Sequence, residues 1–350
     1  MPNAGPASVL SELAAIEPSS RGSIGVAASF HAYHSLATAA PPAISFNADQ
    51  RFPMASTVKV GLAATVLKLI ERGELGVAGP AKGKKLALDL VVEVEDFDLC
   101  IEYPEIVWGG HLPAFFAVSN LLEMSLTRSD NTATDVLLKL IGGPPTVRKY
   151  LDELGVPPAM NPKSNMRDNL WMAYPEVFGE WNAHEPLFHK YSQIERDQPL
   201  VAQRYQESTY PPNPAAVEGD VRDSTTPAAY HTFLRLALSA HLSTAPHPSS
   251  LSPSMSAYLL AAMSRCLSTE RIRGRLRPGV PTSVKGGSVR GNHSEVGVVE
   301  VEGRGWITLA IYTRNAPGAT EPTPMSIRER TIADVARLVY DYYLIESGRS

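Results

Sequence analysis

The sequence predicts an α+β fold: an antiparallel sheet assembled from both ends of the chain and flanked by helices, with an all-α region inserted between the two halves. Three observations predict it. Apolar, β-branched segments with strand character occur near the N-terminus and again after residue 290. The long middle of the chain instead repeats apolar residues at helical spacing. The chain then ends on an amphipathic helix at residues 326–345.

The N-terminal elements follow from local signals. Residues 7–17 predict a short amphipathic helix, and residues 23–30 have the small and β-branched composition of a buried strand. Residues 46–56 are loop-like. A helical period runs over residues 56–72, and Gly73 stands where a C-terminal cap belongs.

The later elements complete the prediction of one domain. Helices are predicted at residues 120–143 with a break at the SDN, at 146–155, at 225–240 and at 252–266. Two strands follow, joined by a tight turn at residues 302–305. We therefore predict an α/β part from residues 1–55 and 268–350 and an all-α part from residues 56–267, without an internal repeat. Residues 161–224 are irregular, and so long an irregular segment is often functional or mobile.

The composition excludes several classes of function. Hydrophobic residues make up 44% of the 350 residues and the net charge is −4, so the chain is neither disordered nor suited to nucleic acid or an anionic membrane. No run of 18 or more apolar residues predicts a membrane span. We expect a small-molecule substrate, no nucleic-acid partner and no membrane partner; the sequence does not predict the oligomeric state.

Cysteine and histidine usage predicts no metal and no cofactor. Cys100 and Cys266 can form at most one disulfide, and no metal-ligand spacing surrounds them. His31 and His34 lack a neighbouring cysteine or an HExxH pattern. The first residues show no basic start, apolar stretch or cleavage site, so we expect a cytoplasmic location.

Ser56 and Lys59 form the first of three short motifs with chemical potential. A serine at a helix N-terminus lies near free backbone N–H groups and partial positive charge, which stabilise a developing oxyanion. A lysine three residues later lies one helical turn away on the same face. If it is desolvated, its amine can accept the serine proton near neutral pH.

The second and third motifs each have an ordinary structural alternative. Ser129-Asp130-Asn131 lies between helical stretches, where Ser129 could relay a proton, Asn131 could hold a lysine or a substrate carbonyl, and Asp130 would fix the turn; a simple helix-capping turn is the alternative. Lys285-Gly286-Gly287-Ser288 leads into the terminal strands. Glycines in a strand indicate close approach by a ligand or another backbone, and a surface hairpin is the alternative.

Together, in this order and spacing, the three motifs resemble those of the class A β-lactamases and penicillin-binding proteins. The similarity extends to residues 128–155 and 219–238, and to residues 102–112, where Tyr103 would be the aromatic at the cleft edge. It covers most of the chain outside 161–218. The resemblance implies a three-layer fold of the β-lactamase and transpeptidase type, with an ion pair between Arg222 and Asp223 closing an expanded omega loop.

The resemblance also implies an acyl-enzyme mechanism. Ser56 would attack an activated carbonyl with help from Lys59, and backbone N–H groups of Ser56 and Ser288 would form an oxyanion hole. Ser129 would protonate the leaving nitrogen, and Lys285 would tune that serine and attract a substrate carboxylate. Asn131, Tyr103, Gly287, Ser288 and Arg290 are the predicted substrate-binding residues.

The sequence departs from the family pattern at the base for deacylation. Counting back about a dozen residues from Arg222 reaches Tyr210 rather than a glutamate. Glu207 is the first candidate base and Glu218 the second, with Asn213 as a candidate companion asparagine. Without such a base the acyl-enzyme would be long-lived.

A second departure concerns the third motif and the cell compartment. Gly286 stands where the family has Thr or Ser, whose hydroxyl helps to hold a carboxylate; Ser288 or Arg290 could compensate. The sequence shows neither the family's familiar disulfides nor its export signal.

The leading hypothesis is a hydrolase of β-lactams or related cyclic amides. An esterase, amidase or D-peptidase, and a penicillin-binding protein acylated without turnover, are the alternatives.

Overall fold

The computed structural model describes residues 6–33, 41–101, 112–207, 210–213, 216–243 and 245–348. The strands are β1 (Gly22–Ala32), β2 (Ile44–Phe46), β3 (Phe52–Pro53), β4 (Val91–Val94), β5 (Ala114–Ala117), β6 (Ser224–Thr225), β7 (Thr282–Val289), β8 (Asn292–Val301) and β9 (Gly305–Asn315).

The helices begin with one before the sheet and continue through the middle of the chain to the C-terminus. They are α1 (Pro6–Ile16), α2 (Val58–Glu71), α3 (Val118–Glu123), α4 (Asn131–Leu140), α5 (Pro144–Glu153), α6 (Met166–Ala173), α7 (Pro175–Phe178), α8 (Leu187–Asp197), α9 (Pro199–Gln206), α10 (Pro227–Ala237), α11 (Ser239–Leu242), α12 (Pro253–Ser264) and α13 (Met325–Glu346).

The main sheet joins the two ends of the chain, as the sequence predicts. Its order is β2-β1-β9-β8-β7, and every neighbouring pair is antiparallel. Strand β1 pairs with β9 along its whole length, from Gly22 opposite Asn315 to Ala32 opposite Gly305. The predicted α+β class is therefore confirmed. The division at residues 55–56 and 267–268 stays a prediction.

The alternation of side chains along the strands produces three layers. On β9, Ile307, Leu309 and Ile311 join a cluster with α1 and α13, whereas Ala310 and Tyr312 face the helical region. Successive strand residues point to opposite faces, and a strand covered on both faces is apolar throughout. The sheet thus lies between the terminal helices on one side and the inserted helices on the other.

Residues 161–224 differ from the prediction of an irregular segment. Their described part, which omits 208–209 and 214–215, contains four helices, α6 to α9, and an aromatic cluster in which Tyr205 contacts Tyr174, Phe178 and Tyr191. The cluster supplies the apolar contacts that make short helices stable, because helices of this length are marginal alone. The sequence shows only Pro- and Tyr-rich stretches here, since each helix is too short to display a clear period.

Three smaller findings complete the fold. A hairpin of β4 and β5, which the sequence analysis did not identify, pairs Val91 with Ala117. Cys100 and Cys266 are both buried and are not joined by a disulfide. Within the part of the chain that the structure describes, no helix has the length and apolar character that crossing a bilayer requires.

Candidate active site

Ser56 lies in a single 3-10 turn, Ala55–Thr57, that runs directly into α2. Ala55 has φ of 45°, a left-handed conformation that is uncommon for a residue with a side chain. The turn is fixed from two sides: the Tyr230 hydroxyl on α10 donates to Thr57 O at 2.7 Å, and Thr57 Oγ1 lies 3.1 Å from the Tyr312 hydroxyl. The partly exposed serine therefore stands on a rigid support.

Lys59 connects the first two motifs. Its side chain is fully buried in the first turn of α2, and its ammonium donates to Ser129 O at 2.5 Å, to Ser129 Oγ at 3.1 Å and to Asn131 Oδ1 at 2.6 Å. Three acceptors match the three hydrogens of an ammonium group. Asn131 therefore binds a lysine, one of the two partners that the sequence analysis considered for it, and its role in substrate binding stays a prediction.

The SDN residues form a turn before α4, as the sequence predicts. A short π-helix at Met124–Arg128 ends at Ser129, whose φ of 61° is left-handed. Asp130 is buried and its Oδ1 accepts from Ala133 N at 2.7 Å, which caps α4. The Asn131 amide donates to Ile101 O at 2.9 Å. The turn therefore directs Ser129 toward Lys59.

Lys285 brings the third motif to the same serine. Its ammonium on β7 donates to Ser129 Oγ at 3.0 Å and to Gly286 O at 2.8 Å, and the side chain is 2% exposed. Burial lowers the pKa of Lys285 to about 8, and the nearby Arg271 guanidinium adds to the decrease. Ser129 Oγ therefore accepts from two buried lysines at once.

Gly287 allows the backbone of β7 to lie against the nucleophile. A Cβ added at this position would lie 2.8 Å from Met54 O and 3.0 Å from Ser56 N. Both contacts are with backbone atoms of the turn that carries the serine, so no side chain fits. The predicted close approach of a second backbone is confirmed at Gly287.

Arg271 is a residue of this region that the sequence analysis missed. Its buried guanidinium donates to Gly287 O and Ser294 O, each at 3.0 Å, and to Ser288 Oγ at 2.6 Å. A Cβ added at Gly286 would lie 2.6 Å from Arg271 Nη1. The guanidinium therefore occupies the space that a Thr or Ser side chain would need. A lone arginine in the sequence gives no signal of this role.

Ser288 is exposed to solvent, whereas Arg290 is buried. Ser288 is exposed at the end of β7, with its hydroxyl bound to Arg271. Arg290 was predicted to reach the substrate cleft, and this is wrong. Its buried guanidinium donates to Ala173 O, to Pro211 O at 2.7 Å and to a Glu176 carboxylate oxygen. A buried charge needs such partners, and here they all come from the enlarged segment.

The predicted deacylation bases both bind other groups of the chain. Glu207 is exposed just after α9 and accepts from Gln203 of the same helix at 2.8 Å; its assignment as the base stays a prediction. Glu218 accepts from the amides of Asn292 and Asn315, at 3.0 and 2.9 Å. Asn213 lines an open cavity of about 500 Å³ together with Trp171 and Trp181 of the enlarged segment.

The expanded loop is closed differently from the prediction. Arg222 pairs with Asp220 at 2.6 Å, so the expected Arg222–Asp223 ion pair is wrong. Asp223 instead accepts from the backbone N–H groups of Lys163 and Ser164, at 2.8 and 3.0 Å. Backbone N–H groups bind the Asp223 carboxylate because its side chain is buried beside the start of this segment.

Asp135 is a second residue that the sequence analysis missed. It lies one helical turn after Asn131 on α4 and accepts from the backbone N–H groups of Met166 and Arg167, at 2.6 and 2.9 Å. Desolvation raises the pKa of Asp135 to about 7, although the two backbone donors and the Lys59 charge oppose the increase. This carboxylate therefore joins α4 to the start of α6. Tyr103 lies outside the residues that the structure describes.

The comparisons with known proteins agree with this geometry. A family model described as the β-lactamase enzyme family matches residues 12–343. Among curated relatives, β-lactamase L2 of Stenotrophomonas maltophilia is 36% identical over 144 residues, 41% of either chain. β-Lactamase CTX-M-8 of Citrobacter amalonaticus is 27% identical over 96% of this chain and 89% of its own. The matches to the first curated relatives thus span about two fifths of their length.

Solved structures show the same fold over nearly the whole chain. An ancestral class A β-lactamase of Gram-negative bacteria has a TM-score of 0.67 at 24% identity, covering 95% of this chain and 99% of that one. A class A β-lactamase from Mycobacterium abscessus has a TM-score of 0.66 at 21% identity, covering 96% and 99%. These likenesses show the fold alone.

Proposed function

Because the chain belongs to the β-lactamase enzyme family, which matches it over residues 12–343, we propose that it is a serine hydrolase. It opens the amide bond of β-lactams or related cyclic amides through an acyl-enzyme on Ser56. The observation that carries this proposal is the meeting of Lys59 and Lys285 on Ser129 Oγ, at 3.1 and 3.0 Å, beside the turn that bears Ser56.

Acylation begins at Ser56, with Lys59 as the proton acceptor. In the ammonium form, Lys59 uses all three hydrogens on Ser129 and Asn131. After it loses one proton, the nitrogen lone pair can take the Ser56 hydroxyl proton while Ser56 Oγ bonds to the lactam carbonyl carbon. The C–N bond then breaks, and the ring nitrogen takes a proton from Ser129, which Lys59 or Lys285 replaces.

Charge on the carbonyl oxygen is stabilised by backbone donors. The start of α2 supplies Ser56 N, and the edge of β7 supplies Ser288 N. The close packing of Gly287 against Ser56 N supports this arrangement, since it fixes the strand beside the turn. Lys285 on β7 and Arg271, whose guanidinium packs against β7, add two positive charges beside the site, which suits a substrate that carries a carboxylate.

A second candidate function follows from the carboxylates. Glu207 and Glu218 both bind other parts of the chain, so neither supports water activation at Ser56. In the second candidate, the protein is acylated as a penicillin-binding protein is and turns over slowly. Both candidates share the acylation step and differ only in the release of the acyl group.

Intact-mass spectrometry during hydrolysis of a penicillin and a chromogenic cephalosporin tests the proposal. We expect a mass increase equal to the intact lactam and loss of lactam absorbance. Ser56→Ala removes the nucleophile and abolishes both signals, whereas Ser264→Ala, an exposed serine at the end of α12, keeps them. A Ser56→Ala variant that still opens the lactam would overturn the serine mechanism.

The partners and the cellular location of the protein are also proposals. β-Lactam-type substrates are small molecules, and no second macromolecule is required for the reaction. A cytoplasmic location stays a prediction, and fractionation of cells that express the native gene tests it.

A further inference from the structure

The open cavity of about 500 Å³ in the enlarged segment, which we call the aromatic cavity, has an apolar wall. This wall comes from Trp171 and Met172 on α6, from Pro175 at the start of α7 and from Trp181 three residues after α7. Pockets that bind small organic ligands have volumes of about 300–1,000 Å³. The aromatic cavity is therefore large enough for an aromatic ring and the chain that carries it.

Trp181 offers an aromatic surface to this cavity. The residue is 52% exposed, although it is one of the largest apolar side chains of the protein. Its indole N–H donates to Asp168 Oδ1 at 3.0 Å, which fixes the ring against α6. A ring that is already fixed loses little conformational entropy when a ligand packs on it. Trp181 is therefore suited to stack on a planar group.

The aromatic cavity is continuous with a second space, the cleft beside Ala55. Four residues line both spaces: Met172, Ala216, Asp220 and Arg222. Because the two linings share these residues, the cleft and the cavity form one groove. Ala55 directly precedes the proposed nucleophile, so one end of this groove lies at the candidate active site.

The same end of the groove lies where the substrate carbonyl is expected. Ala55 and Val289 both line the cleft. Each is the chain neighbour of a residue whose backbone N–H is assigned to the oxyanion hole, Ser56 for Ala55 and Ser288 for Val289. A carbonyl held between these two N–H groups is therefore flanked by the residues that form the mouth of the groove.

Backbone pairing fixes the groove beside the nucleophile. Strand β3 pairs with β6, with Pro53 opposite Ser224, and the pairing continues as Met54 N donates to Asp223 O at 2.8 Å. Adjacent antiparallel backbones are about 5 Å apart. The shared lining residues that directly precede Asp223 therefore run beside the turn that carries Ser56.

The charges of the aromatic cavity favour a neutral ligand group. Glu180, Asp220 and Arg222 are the charged residues among those that line it. Asp220 and Arg222 pair at 2.6 Å, so the Glu180 carboxylate is the excess charge. A carboxylate in this cavity would meet a like charge, whereas a neutral aromatic ring would not.

We propose that this groove binds the acyl side chain of the substrate and that the aromatic cavity holds a neutral aromatic group at the end of that side chain. The inference rests on the proposed acylation of Ser56. It narrows the substrate class to lactams that bear a long, aryl-terminated substituent on the ring carbon beside the carbonyl. Trp181 and the apolar wall then determine specificity, while the reacting atoms stay at Ser56.

Two penicillins with the same ring system test the subsite, one with an acetyl and one with a biphenylacetyl side chain. The second-order rate constant for acylation should be about three- to tenfold higher for the biphenylacetyl compound, the range that one aromatic contact gives. Trp181→Ala should remove this preference and leave the rate for the acetyl compound unchanged. Trp181→Phe keeps a ring and should keep most of the preference.

The matched control is Leu200→Ala. This substitution removes an exposed apolar side chain of α9, in the same segment but outside the described lining of the aromatic cavity. It should leave both rate constants unchanged. A wild type that shows no preference, or a Trp181→Ala variant that keeps the wild-type preference, would overturn the subsite.

Binding to the unreactive Ser56→Ala variant separates the subsite from the reaction. There the dissociation constant of the biphenylacetyl compound should be about three- to tenfold lower than that of the acetyl compound, and adding Trp181→Ala should make the two equal. If this holds while neither compound acylates the wild type, the proposed reaction fails and the subsite stands. Equal dissociation constants in Ser56→Ala would overturn the subsite even if the wild type is acylated.

Discussion

Lys285 links the chemistry of the site to pH. Burial lowers the pKa of this ammonium to about 8 from a usual value above 10. As pH rises through 8 the charge is lost, and with it the attraction for a substrate carboxylate. We expect kcat/KM for a carboxylate-bearing lactam to fall above pH 8, by at most tenfold per pH unit. A pH profile of kcat/KM measures this directly.

The variant Lys285→Arg is the matched control for that profile. A guanidinium stays charged throughout the range, so the alkaline decrease should disappear or move well above pH 10. A neutral ester substrate should show a smaller decrease with the wild type. If kcat/KM of Lys285→Arg falls above pH 8 as it does in the wild type, the decrease does not come from the Lys285 ammonium.

Gly286 and Arg271 depend on each other. Because a Cβ at position 286 would lie 2.6 Å from Arg271 Nη1, Gly286→Ser must displace a guanidinium held by three oxygens. We expect Gly286→Ser to lower the free energy of unfolding by about 1–3 kcal/mol. In an Arg271→Ala background the same substitution should cost much less. Urea unfolding of the four proteins measures the coupling, and additive effects would contradict it.

Sequence analysis identified the residues of the proposed catalytic cluster because their spacing is local or follows a recognised order. Ser56 and Lys59 are one helical turn apart, and the SDN triplet marks its own turn. Arg271 was missed because its role arises from packing across β7 and β8, not from its neighbours in sequence. The error at Arg290 has the same origin: a single arginine after a strand does not show which layer its side chain enters.

At the level of elements, Arg290 of the sheet makes several contacts with the enlarged segment, in addition to the contacts of Glu218 with Asn292 and Asn315. Arg290 adopts a left-handed backbone with φ of 44° at the β7–β8 turn. Its guanidinium lies 4.6 Å from the centre of the Tyr174 ring and 5.7 Å from that of Tyr210, in addition to its bonds to the carbonyls of Ala173 and Pro211. The stretch from α6 to residue 213 therefore depends on this side chain for its position.

Arg290→Met should loosen that segment more than the rest of the molecule. The substitution keeps an unbranched apolar side chain but leaves two carbonyls and Glu176 without their donor, a loss of about 2–4 kcal/mol. Limited proteolysis followed by mass spectrometry should show faster cleavage between residues 174 and 213. Arg290→Lys keeps the charge but has fewer hydrogen-bond donors, so its cleavage rate should lie between those of the wild type and Arg290→Met. Equal cleavage rates in all three proteins would contradict this role.

Prediction of elements succeeded where a period was long enough to see. Residues 326–345 and 56–72 show several helical turns, and α13 and α2 match them closely. The helices between 166 and 206 were missed because each spans one to three turns and most begin at or just after a proline. Their stability comes from aromatic contacts that are distant in sequence, as between Tyr174 and Tyr210, and no local pattern reports those.

At the level of the whole molecule, the proposed mechanism assigns acylation and release of the acyl group to different parts of the fold. In this proposal, acylation uses residues from α2, the turn before α4 and β7, which the helical region and the sheet bring together. Release would need a base for water, which in the family the omega loop supplies. Here the corresponding segment contains helices, and its Glu176, Glu207 and Glu218 bind other groups of the chain.

The cleft beside Ala55 shows this division. Asp220 and Asp223 are the carboxylates that line it, and the neutral amide of Asn169 lies in the same lining. Asp223 already accepts from two backbone N–H groups and from the Asn169 amide at 3.3 Å. Hydrogen bonds from Arg222 lower the pKa of Asp220, which makes it a weaker base. Neither carboxylate is well suited to take a proton from water.

We therefore expect burst kinetics with a chromogenic cephalosporin. One equivalent of chromophore per chain should appear rapidly, followed by a slower steady phase limited by deacylation, and intact mass should show the acylated chain throughout that phase. Asp220→Asn should leave the rates of both phases unchanged, because the Asp220 carboxylate forms an ion pair with Arg222. If Asp220→Asn keeps the burst but abolishes the steady phase, Asp220 is the missing base. A steady rate without a burst would instead mean that deacylation is faster than acylation, and that an efficient base lies in a part of the loop that sequence and geometry have not assigned.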